Sequence, residues 1–428
     1  MKILQIYELS PHDNVGTGGI EVAIMETSRE FVALGHEVTI LTGARDIPQE
    51  QIIDGVQIIS IDFCSLMKYT WNGANLSLAR QALFPLVVLF NRPDTYDIYH
   101  GHIYSSGLIA NYLARRAGGV AVNTIHGSYY PIWSKLANPF AARFYRTGER
   151  ILAPALAKLS DIQFHTGDYF AQQVLAWGAS KQKVKTIHNG ADIVRFSPSL
   201  SQIADSHLIT SSHGAIDSSI PVILTARRLV KKNGIEYLIK AMQLVLKEKQ
   251  CQLMIIGEGA EHAALEQLTH DLDLQDNVHF LGLIPHEQLP PYLALADIAV
   301  IPSLMEASSI FMLEAMAMEK PVIATNAGGL PEVLPQSTGI LVEPMDEMGL
   351  ADAILELLQC EEKRLQLGKK AREHVEVNYS WKAVAKQMEA EYMRLLARKK
   401  KTLENQGRNY PSLISKFAAN IVFNLKWE

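Results

Sequence analysis

The stretch EASSIFMLEAMAMEKPVIATNAGGLPEV at residues 306–333 decides the fold of this chain. Ser308 and Ser309 have side chains that cap helices, and the run IFMLEAMAM after them is apolar on nearly every side. This pattern predicts a buried helix that begins after Ser309. The run PVIAT then predicts a buried strand, and Gly328 and Gly329 predict a tight turn behind it.

The start of this helix predicts an anion-binding site. Backbone N–H groups near Ile310 and Phe311 have no partner within a helix, and the helix dipole favours negative charge there. Glu314 lies one turn further on, and helix side chains lean toward the N-terminus, so its carboxylate should reach the same end. A diphosphate on the amides and a ribose diol on Glu314 is the simplest ligand that fits, which predicts a nucleotide-sugar.

Glu306 and Glu314 have an alternative interpretation, in which both make ordinary ion pairs. That interpretation leaves Glu314 unexplained inside an apolar helix. We favour ligand binding because charged groups are seldom buried without a partner.

Short apolar runs alternate with amphipathic stretches through most of the chain. This alternation predicts an α/β fold with doubly wound parallel sheets and buried strands. The serine-rich residues 197–219 interrupt the pattern. We therefore expect two Rossmann-like domains at residues 1–195 and 220–375, with a linker at 196–219 and a separate C-terminal part at 376–428.

The predicted strand ends carry the distinctive residues. Gly18 and Gly19 follow the first strand, His126 follows VNTI, Gly257 follows LMII, and Glu306 comes shortly after IAVIP. Open parallel sheets bind ligands beyond the carboxyl ends of their strands. Two facing sheets should therefore direct these residues into one cleft between the domains.

The C-terminal part of the chain contains two different segments. Residues 380–401, SWKAVAKQMEAEYMRLLARKKK, predict a helix with a basic end. Residues 409–428, NYPSLISKFAANIVFNLKWE, mix apolar side chains with Lys416 and Lys426. This tail is compatible with a membrane-surface helix or with packing on the protein's own surface, and we favour the second.

Composition and charge argue against several classes of protein. The length of 428 residues suits two domains, and a net charge of -5 argues against nucleic acid as the main partner. Cys64, Cys251 and Cys360 are far apart, as is typical of buried thiols in a reducing compartment. Neither a secretory signal nor a membrane-spanning run is evident, so we expect a cytoplasmic protein, with at most peripheral contact at the inner membrane face.

Several further motifs occur in a characteristic order. They are GTGGIE (16–21), TIHGS (124–128), IHNGAD (187–192), ARRLVKKNGIEYLIKA (226–241), IIGEGAEHAAL (255–265) and TGILVEP (338–344). With these motifs and its E-x7-E pair, the chain resembles the retaining family 4 (group 1) glycosyltransferases of the GT-B fold. The resemblance implies two Rossmann-like domains facing across a cleft. It also implies a hexosyltransferase of polysaccharide, glycolipid or glycoside biosynthesis that moves a sugar from a nucleotide-diphosphate-sugar to an acceptor hydroxyl.

The resemblance assigns roles around the donor. Glu314 is expected to accept hydrogen bonds from both ribose hydroxyls, and Glu306 to contact donor-sugar hydroxyls near the anomeric centre. The amides of Ile310 and Phe311 are expected to bind the diphosphate. The family often has glycine where this chain has Ser309, so we expect this side chain to narrow the sugar pocket.

Two cations are expected to stabilise the charge that develops on the departing diphosphate. The strand VILTA ends just before Arg227 and Arg228, and aligning GIEYLIKA with the family assigns the arginine role to Arg228. The family's lysine then falls at Asn233, so we expect Lys232 to replace it. A solvated basic turn is the alternative.

First-domain residues complete the predicted site. By resemblance, His126 contacts the donor sugar through hydrogen bonding or polarisation, Gly19 faces the diphosphate across the cleft, and Glu21 faces the acceptor. Tyr129 and Tyr130 either stack on a sugar or lipid-linked acceptor or belong to the core.

No metal and no cofactor are expected. Asp271-Leu272-Asp273 matches the D-x-D of metal-dependent glycosyltransferases, but it lies at the end of a predicted helix, far from any strand end. Arginine, lysine and helix amides already serve the diphosphate of a UDP- or GDP-linked donor. Two alternatives stay open, namely a nucleotide-sugar epimerase or hydrolase on the same fold and a non-catalytic nucleotide-sugar-binding subunit.

Overall fold

The computed structural model describes residues 1–8, 18–44, 50–62, 84, 88, 94–136, 138–199, 210–211, 214–216 and 219–405. Within these residues the chain forms two α/β domains, each built on its own sheet of mainly parallel strands. The predicted fold class is therefore confirmed.

The first domain contains an eight-stranded sheet in the order β3-β4-β2-β1-β5-β6-β7-β8. Its strands are β1 Lys2–Ile6, β2 Glu37–Ala44, β3 Glu50–Ile53, β4 Val56–Asp62, β5 Ile98–His102, β6 Val120–Ile125, β7 Ile162–His165 and β8 Val184–Thr186. Neighbouring strands are parallel except β3 and β4. Every residue of β5 and β6 is buried, so both faces of the sheet need helices over them.

The antiparallel strand β3 departs from the purely parallel sheet that the sequence predicted. Asp54 and Gly55 join β3 to β4, and both have positive φ, at 51° and 80°. A two-residue turn with positive φ at both positions makes a tight hairpin, and Asp-Gly is a favoured pair for it. The alternation of strands and helices does not reveal such a short edge strand.

Helices cover both faces of the first sheet. They are Gly19–Ala33, Ile103–Ala117, Trp133–Leu136, Pro139–Leu159 and Asp168–Ala176. Helix Gly19–Ala33 packs on the face that includes Ile3 and Val38, and helix Ile103–Ala117 packs on the face of Leu4 and Leu41. The sequence also predicts a helix at residues 77–91, and this stretch lies almost entirely outside the described residues.

The second domain contains a six-stranded parallel sheet in the order β13-β12-β11-β14-β15-β16. Before it, β9 Thr210–Ser211 and β10 Gly214–Ala215 pair as a short ribbon. The strands of the sheet are β11 Val222–Ala226, β12 Gln252–Ile256, β13 Val278–Phe280, β14 Ile298–Ile301, β15 Val322–Thr325 and β16 Gly339–Val342. The chain winds outward in opposite directions from β11 and from β14. The loops after these two strands therefore diverge and open a crevice at the carboxyl edge.

The helices of the second domain cover both faces of its sheet. They are Ile235–Val245, His262–Asp271, Leu289–Leu295, Ile310–Ala317, Leu330–Val333, Glu347–Gln359 and Glu361–Asn378. For the last two helices the sequence predicts a single helix at residues 347–373, whereas the structure has two. Cys360 separates them because its backbone is extended, with φ −127° and ψ 91°.

The long helix Trp381–Asn405 returns to the first domain. Tyr392 is fully buried there, with its ring centroid 5.5 Å from that of Phe31 and its hydroxyl 2.7 Å from His100 Nδ1. The helix thus covers one face of the first sheet. The tail at residues 409–428 lies outside the described residues. In the part of the chain that is described, no helix has the length and apolar character needed to span a bilayer.

Candidate active site

The start of helix Ile310–Ala317 lies at the crevice of the second sheet. Ser309 caps this helix, because its Oγ accepts a hydrogen bond from Met312 N at 3.2 Å. All eight residues of the helix are buried. The amides of Ile310 and Phe311 have no carbonyl partner within the helix, so its start offers hydrogen-bond donors and partial positive charge to an anion.

Glu314 lies one turn further along the helix and is 1% exposed. Its Oε1 is hydrogen bonded to Nε2 of His286. Burial alone would lower the pKa of His286, but the Glu314 carboxylate outweighs this effect and raises that pKa. His286 was not predicted from the sequence. Its place in the loop after β13 was the available signal, since loops at this edge of the sheet line the crevice.

Glu306 is the centre of a cluster of charges. The Arg227 guanidinium donates to Glu306 Oε2, and Lys232 Nζ lies 3.8 Å from the same oxygen. Arg227 also donates to Ser309 Oγ at 3.2 Å, which ties the cluster to the helix cap. Burial alone would raise the pKa of Glu306, but the charges of Lys232 and Arg227 hold it below its usual range.

The arginine of this cluster is Arg227, whereas the sequence alignment assigned that place to Arg228. The amide of Arg227 donates to Ile256 O at 2.8 Å and so extends β11 by one residue. Successive residues of an extended strand point to opposite sides, so only one of two adjacent arginines can face Glu306. The Arg227 side chain is 6% exposed, and Arg228 is exposed. A side chain at Gly257 would clash with the Arg227 carbonyl, so glycine is required beside it.

Lys232 also contacts the first domain. Its Nζ lies 5.0 Å from the centroid of the Tyr129 ring, so this aromatic residue faces the charge cluster around Glu306. Asn233, where the alignment placed the family's lysine, is buried instead, and its Nδ2 donates to Arg228 O at 2.7 Å. Asn233 therefore stabilises the turn, and Lys232 supplies the second cation.

Tyr130 does not face the cluster with Tyr129. Its ring centroid is 4.8 Å from that of Trp177, and the Arg146 guanidinium lies 4.7 Å above it. Both partners belong to the first domain, Arg146 in helix Pro139–Leu159 and Trp177 at the end of helix Asp168–Ala176. Tyr130 therefore packs against residues of its own domain, and its acceptor-side role stays a prediction.

The start of helix Gly19–Ala33 faces the start of helix Ile310–Ala317 across the domain interface. A Cβ atom at Gly19 would lie 3.6 Å from Ile310 Cδ1. Glu21, in the first turn, is buried with its carboxylate close to Gly18. Two positive helix ends therefore converge on one point, which is favourable for an anion between them.

His126 follows β6 and is hydrogen bonded within a chain of neutral side chains. Its Nε2 lies 2.9 Å from His102 Nδ1, and His102 Nε2 lies 2.7 Å from Gln5 Oε1. Burial lowers the pKa of His126 to about 3, so the imidazole is neutral at pH 7. The arrangement suits hydrogen bonding by a fixed ring and does not suit a cationic role.

Glu8, two residues after β1, is a carboxyl group that sequence analysis missed. It is 9% exposed and accepts hydrogen bonds from the hydroxyls of Ser105 and Ser106 at 3.2 and 3.3 Å. Burial raises the pKa of Glu8 to about 7, and the charge of Glu21 raises it further. Its position just beyond a strand end was the available signal. Glu8 and Glu21 therefore form an acidic pair on the first-domain side of the cleft.

Glu332 links the two domains. Its carboxylate accepts hydrogen bonds from the amides of Asp168 and Tyr169 at 2.5 and 2.6 Å, at the start of a first-domain helix. Nearby, Asn189 Nδ2 donates to Ser308 O at 3.0 Å. These contacts bring the first domain directly against the segment that leads into the donor-side helix.

Comparison with known proteins places this chain in a family. The model for "Glycosyltransferase Family 4" matches residues 17–195, and the model for "Glycosyl transferases group 1" matches residues 211–374. The two matches follow each other along the chain and cover both domains. The chain belongs to the family 4 glycosyltransferases.

Relatives of this glycosyltransferase match nearly its whole length. An uncharacterized glycosyltransferase of Methanocaldococcus jannaschii is 28% identical over 380 residues, covering 86% of this chain and 93% of the relative. A D-inositol 3-phosphate glycosyltransferase of Corynebacterium urealyticum is 28% identical over 401 residues, covering 89% and 92%. Sucrose-phosphate synthase from Thermosynechococcus elongatus is similar in structure, with a TM-score of 0.80, 25% identity and coverage of 93% and 99%. The predicted GT-B fold and enzyme class are confirmed.

Glu8→Gln should stabilise the glycosyltransferase at pH 8 and much less at pH 5. The pKa of Glu8 is about 7 in the folded protein, against an ordinary value of 4.5 in the unfolded chain. As the pH rises from 4.5 through 7, the unfolded chain loses a proton that the folded chain still holds, so ionisation favours unfolding. The difference between these two pKa values lowers the unfolding free energy by about 3 kcal/mol at pH 8. Glu8→Gln removes this cost, because glutamine does not ionise.

Denaturant unfolding at both pH values measures this difference. Glu287→Gln, at an exposed position, is the matched control and should change neither value. An equal effect of Glu8→Gln at pH 5 and pH 8 would show that the pKa of Glu8 is not raised in the folded protein.

Proposed function

We propose that this glycosyltransferase moves a hexose from a nucleotide-diphosphate-sugar to an acceptor hydroxyl, with retention of the anomeric configuration. One observation carries the proposal. Arg227, Lys232 and Glu306 cluster where the helix starts at Gly19 and Ile310 meet. A diphosphate at this point contacts two cations and two helix ends.

The diphosphate is the leaving group of the reaction. Negative charge grows on it as the bond to the anomeric carbon breaks, so fixed cations stabilise the transition state more than the ground state. Arg227 supplies a planar fork for phosphate oxygens, and Lys232 supplies a point charge. In this proposal the two side chains and the helix amides meet the need for positive charge without a metal.

The nucleoside extends from the diphosphate along helix Ile310–Ala317. Glu314 lies one turn from the helix start, at the distance that separates a diphosphate from the ribose hydroxyls. His286 holds Oε1 of Glu314 and keeps the carboxylate oriented. The carboxylate is therefore preorganised to accept hydrogen bonds from a ribose diol.

The donor sugar lies on the other side of the diphosphate, between Glu306 and His126. Glu306 is held ionised by two cations, which suits it to accept hydrogen bonds from sugar hydroxyls and makes it a poor nucleophile. We therefore propose attack from the face that the phosphate leaves. The acceptor oxygen bonds to the anomeric carbon, the bond to phosphate breaks, and the departing phosphate oxygen takes the acceptor proton.

The acceptor approaches from the first domain, where Tyr129, Glu8 and Glu21 face the cleft. Glu8 and Glu21 also favour a second candidate function, a nucleotide-sugar hydrolase or epimerase, which needs an acid/base pair on this domain. Incubation with the donor alone, followed by NMR, distinguishes the two. A stable donor supports transfer, and rapid release of free sugar or of an epimer supports the second candidate.

Nucleoside diphosphates should raise the melting temperature, and EDTA should not reduce the effect. A ligand at 100 times its Kd adds about 2.7 kcal/mol to the unfolding free energy. We expect UDP or GDP to exceed the matching monophosphate, because the second phosphate reaches the Arg227 and Lys232 cations. Thermal unfolding with UDP, GDP, UMP, GMP and free nucleosides measures this order. Equal shifts from mono- and diphosphates would contradict the assigned diphosphate site.

A further inference from the structure

Helix Pro139–Leu159 in the first domain exposes a stripe of large apolar side chains. Phe140 is 84% exposed, Phe144 65%, Ile151 61% and Leu152 43%. These positions recur at helical spacing and so lie along one side of the helix. Soluble proteins rarely expose a contiguous apolar surface without a binding role for it.

Basic side chains border the same stripe. Arg143, Arg146, Arg150 and Lys158 are all exposed on this helix. Its one acidic residue, Glu149, is buried on the opposite side. The outer face is therefore apolar and positively charged, although the whole chain has a net charge of -5.

The end of helix Ile103–Ala117 lies beside the end of helix Pro139–Leu159, where Arg115 Nη2 donates to Leu159 O at 3.4 Å. Helix Ile103–Ala117 exposes Leu108 at 44% and Tyr112 at 46%, and its last turn carries Arg115 and Arg116. Two adjacent helices thus combine apolar residues with a basic border. We call this combined surface the basic apolar face; it consists of the exposed residues of helix Pro139–Leu159 together with Leu108, Tyr112, Arg115 and Arg116.

We propose that the basic apolar face binds the surface of a lipid bilayer that contains anionic lipids. Large apolar side chains enter the boundary between headgroups and acyl chains, and basic side chains pair with the headgroups. Charge complementarity selects this occupant. A second copy of the chain on a two-fold axis would bring the same basic surface of both copies together. Arg143 and Arg150 of one copy would then repel those of the other.

The protein's own tail is a poor occupant by the same reasoning. Residues 406–428 contain Arg408, Lys416 and Lys426 against the single acid Glu428. A basic segment does not complement a basic face. An anionic bilayer is complementary in charge to the tail and to the basic apolar face.

The inner side of the same helix connects this face to the active cleft. Glu149 accepts hydrogen bonds from the hydroxyl of Ser128 and from Trp133 Nε1, the latter at 2.7 Å. The segment between these two residues carries Tyr129, whose ring faces Lys232. Binding to lipid would therefore hold the acceptor side of the cleft near the bilayer, which suits a lipid-linked acceptor. That consequence rests on the proposed function, whereas the binding itself does not.

Vesicle co-sedimentation of the full chain tests the proposal. We expect binding to phosphatidylcholine vesicles that contain about one quarter phosphatidylglycerol, and weak binding to phosphatidylcholine alone. Binding should fall steeply in about 0.5 M salt, because the Debye length becomes shorter. The double variant Phe140→Ser/Phe144→Ser and the double variant Arg143→Glu/Arg150→Glu should each lower the partition coefficient about tenfold or more.

Two controls isolate the face. Leu365→Ser/Val377→Ser removes apolar residues that are 66% and 75% exposed in the second domain, and it should bind like the parent protein. Deletion of residues 406–428 should also leave binding in place. Loss of binding on tail deletion, equal loss in the Leu365→Ser/Val377→Ser control, or equal binding to neutral vesicles would overturn the proposal.

Two further measurements keep the outcomes distinct. The melting-temperature shift with UDP or GDP should be the same in Phe140→Ser/Phe144→Ser as in the parent. If vesicle binding is lost while this melting-temperature shift is retained, the substitutions have changed the basic apolar face and not the nucleotide site. Self-association in solution that the same double variant abolishes would overturn the proposal in favour of a second copy on this face.

Discussion

Arg227→Ala should lower kcat/KM about ten- to 150-fold. A charge-assisted hydrogen bond to the departing diphosphate contributes about 1.5–3 kcal/mol, and its loss falls on the transition state. Arg228→Ala should lower kcat/KM by less than about fivefold, because its side chain is exposed and exposed charges contribute little. Initial rates of sugar transfer for this adjacent pair of variants measure both effects.

Arg227 also forms an ion pair with Glu306, so the stability of Arg227→Ala has to be measured together with its activity. Removal of one member of a buried ion pair costs about 3–5 kcal/mol, although Lys232 remains near Glu306 and should reduce that cost. Arg227→Lys keeps the charge but not the fork, and it should recover stability more than turnover. A larger loss of activity in Arg228→Ala than in Arg227→Ala would return the catalytic role to Arg228.

Glu314→Gln should weaken binding of nucleoside diphosphates about 30- to 150-fold. A carboxylate accepts two strong hydrogen bonds from the ribose diol, and an amide replaces them with neutral ones, a difference of about 2–3 kcal/mol. The side chain is 1% exposed, and the replacement has nearly the same shape, so the fold should persist. Isothermal titration with UDP and GDP gives the affinities.

A 2′,3′-dideoxy nucleoside diphosphate makes this test specific. The parent protein should lose affinity for the dideoxy ligand, and Glu314→Gln should lose little more, because the hydroxyls and the carboxylate act as one pair. Glu287→Gln, next to His286 but exposed, is the control for the charge change. If the loss of affinity from the dideoxy ligand and the loss from Glu314→Gln simply add, Glu314 does not bind the ribose hydroxyls.

The helix that carries Glu314 was predictable because its signals are local. Ser309 is followed at once by the apolar run, and the structure shows Ser309 as the cap and all eight helix residues buried. Hydrophobic periodicity also located most strands and both sheets. Such signals depend on residues a few positions apart, which a sequence displays directly.

The charge cluster was predictable only in part. Glu306 and Lys232 were both predicted from the sequence, but the alignment chose Arg228, and not Arg227, as the arginine of this cluster. That choice depends on how far β11 extends before the turn, and the hydrogen bond to Ile256 decides it. A shift of one residue reverses which side chain faces the site.

The roles of Glu8 and His286 could not be predicted from their neighbours in the sequence. The raised pKa of Glu8 comes from burial beside Ser105 and Ser106, about a hundred positions away in the chain. His286 belongs to the site only because folding brings it into hydrogen-bonding contact with Glu314. The contact of Tyr130 with Trp177 likewise joins segments that are far apart in the sequence.

The sequence by itself determined the two-domain α/β fold, the capped helix at Ile310 and the glycosyltransferase family, because periodicity, capping and motif order are properties of short segments. Only the tertiary structure decided that Arg227 faces Glu306 and that burial raises the pKa of Glu8 to about 7. It also decided that a basic apolar face lies outside the loop of Tyr129. These features depend on burial and on contacts between distant segments, and burial is the physical quantity that changes a pKa, selects a side-chain direction or leaves an apolar surface uncovered.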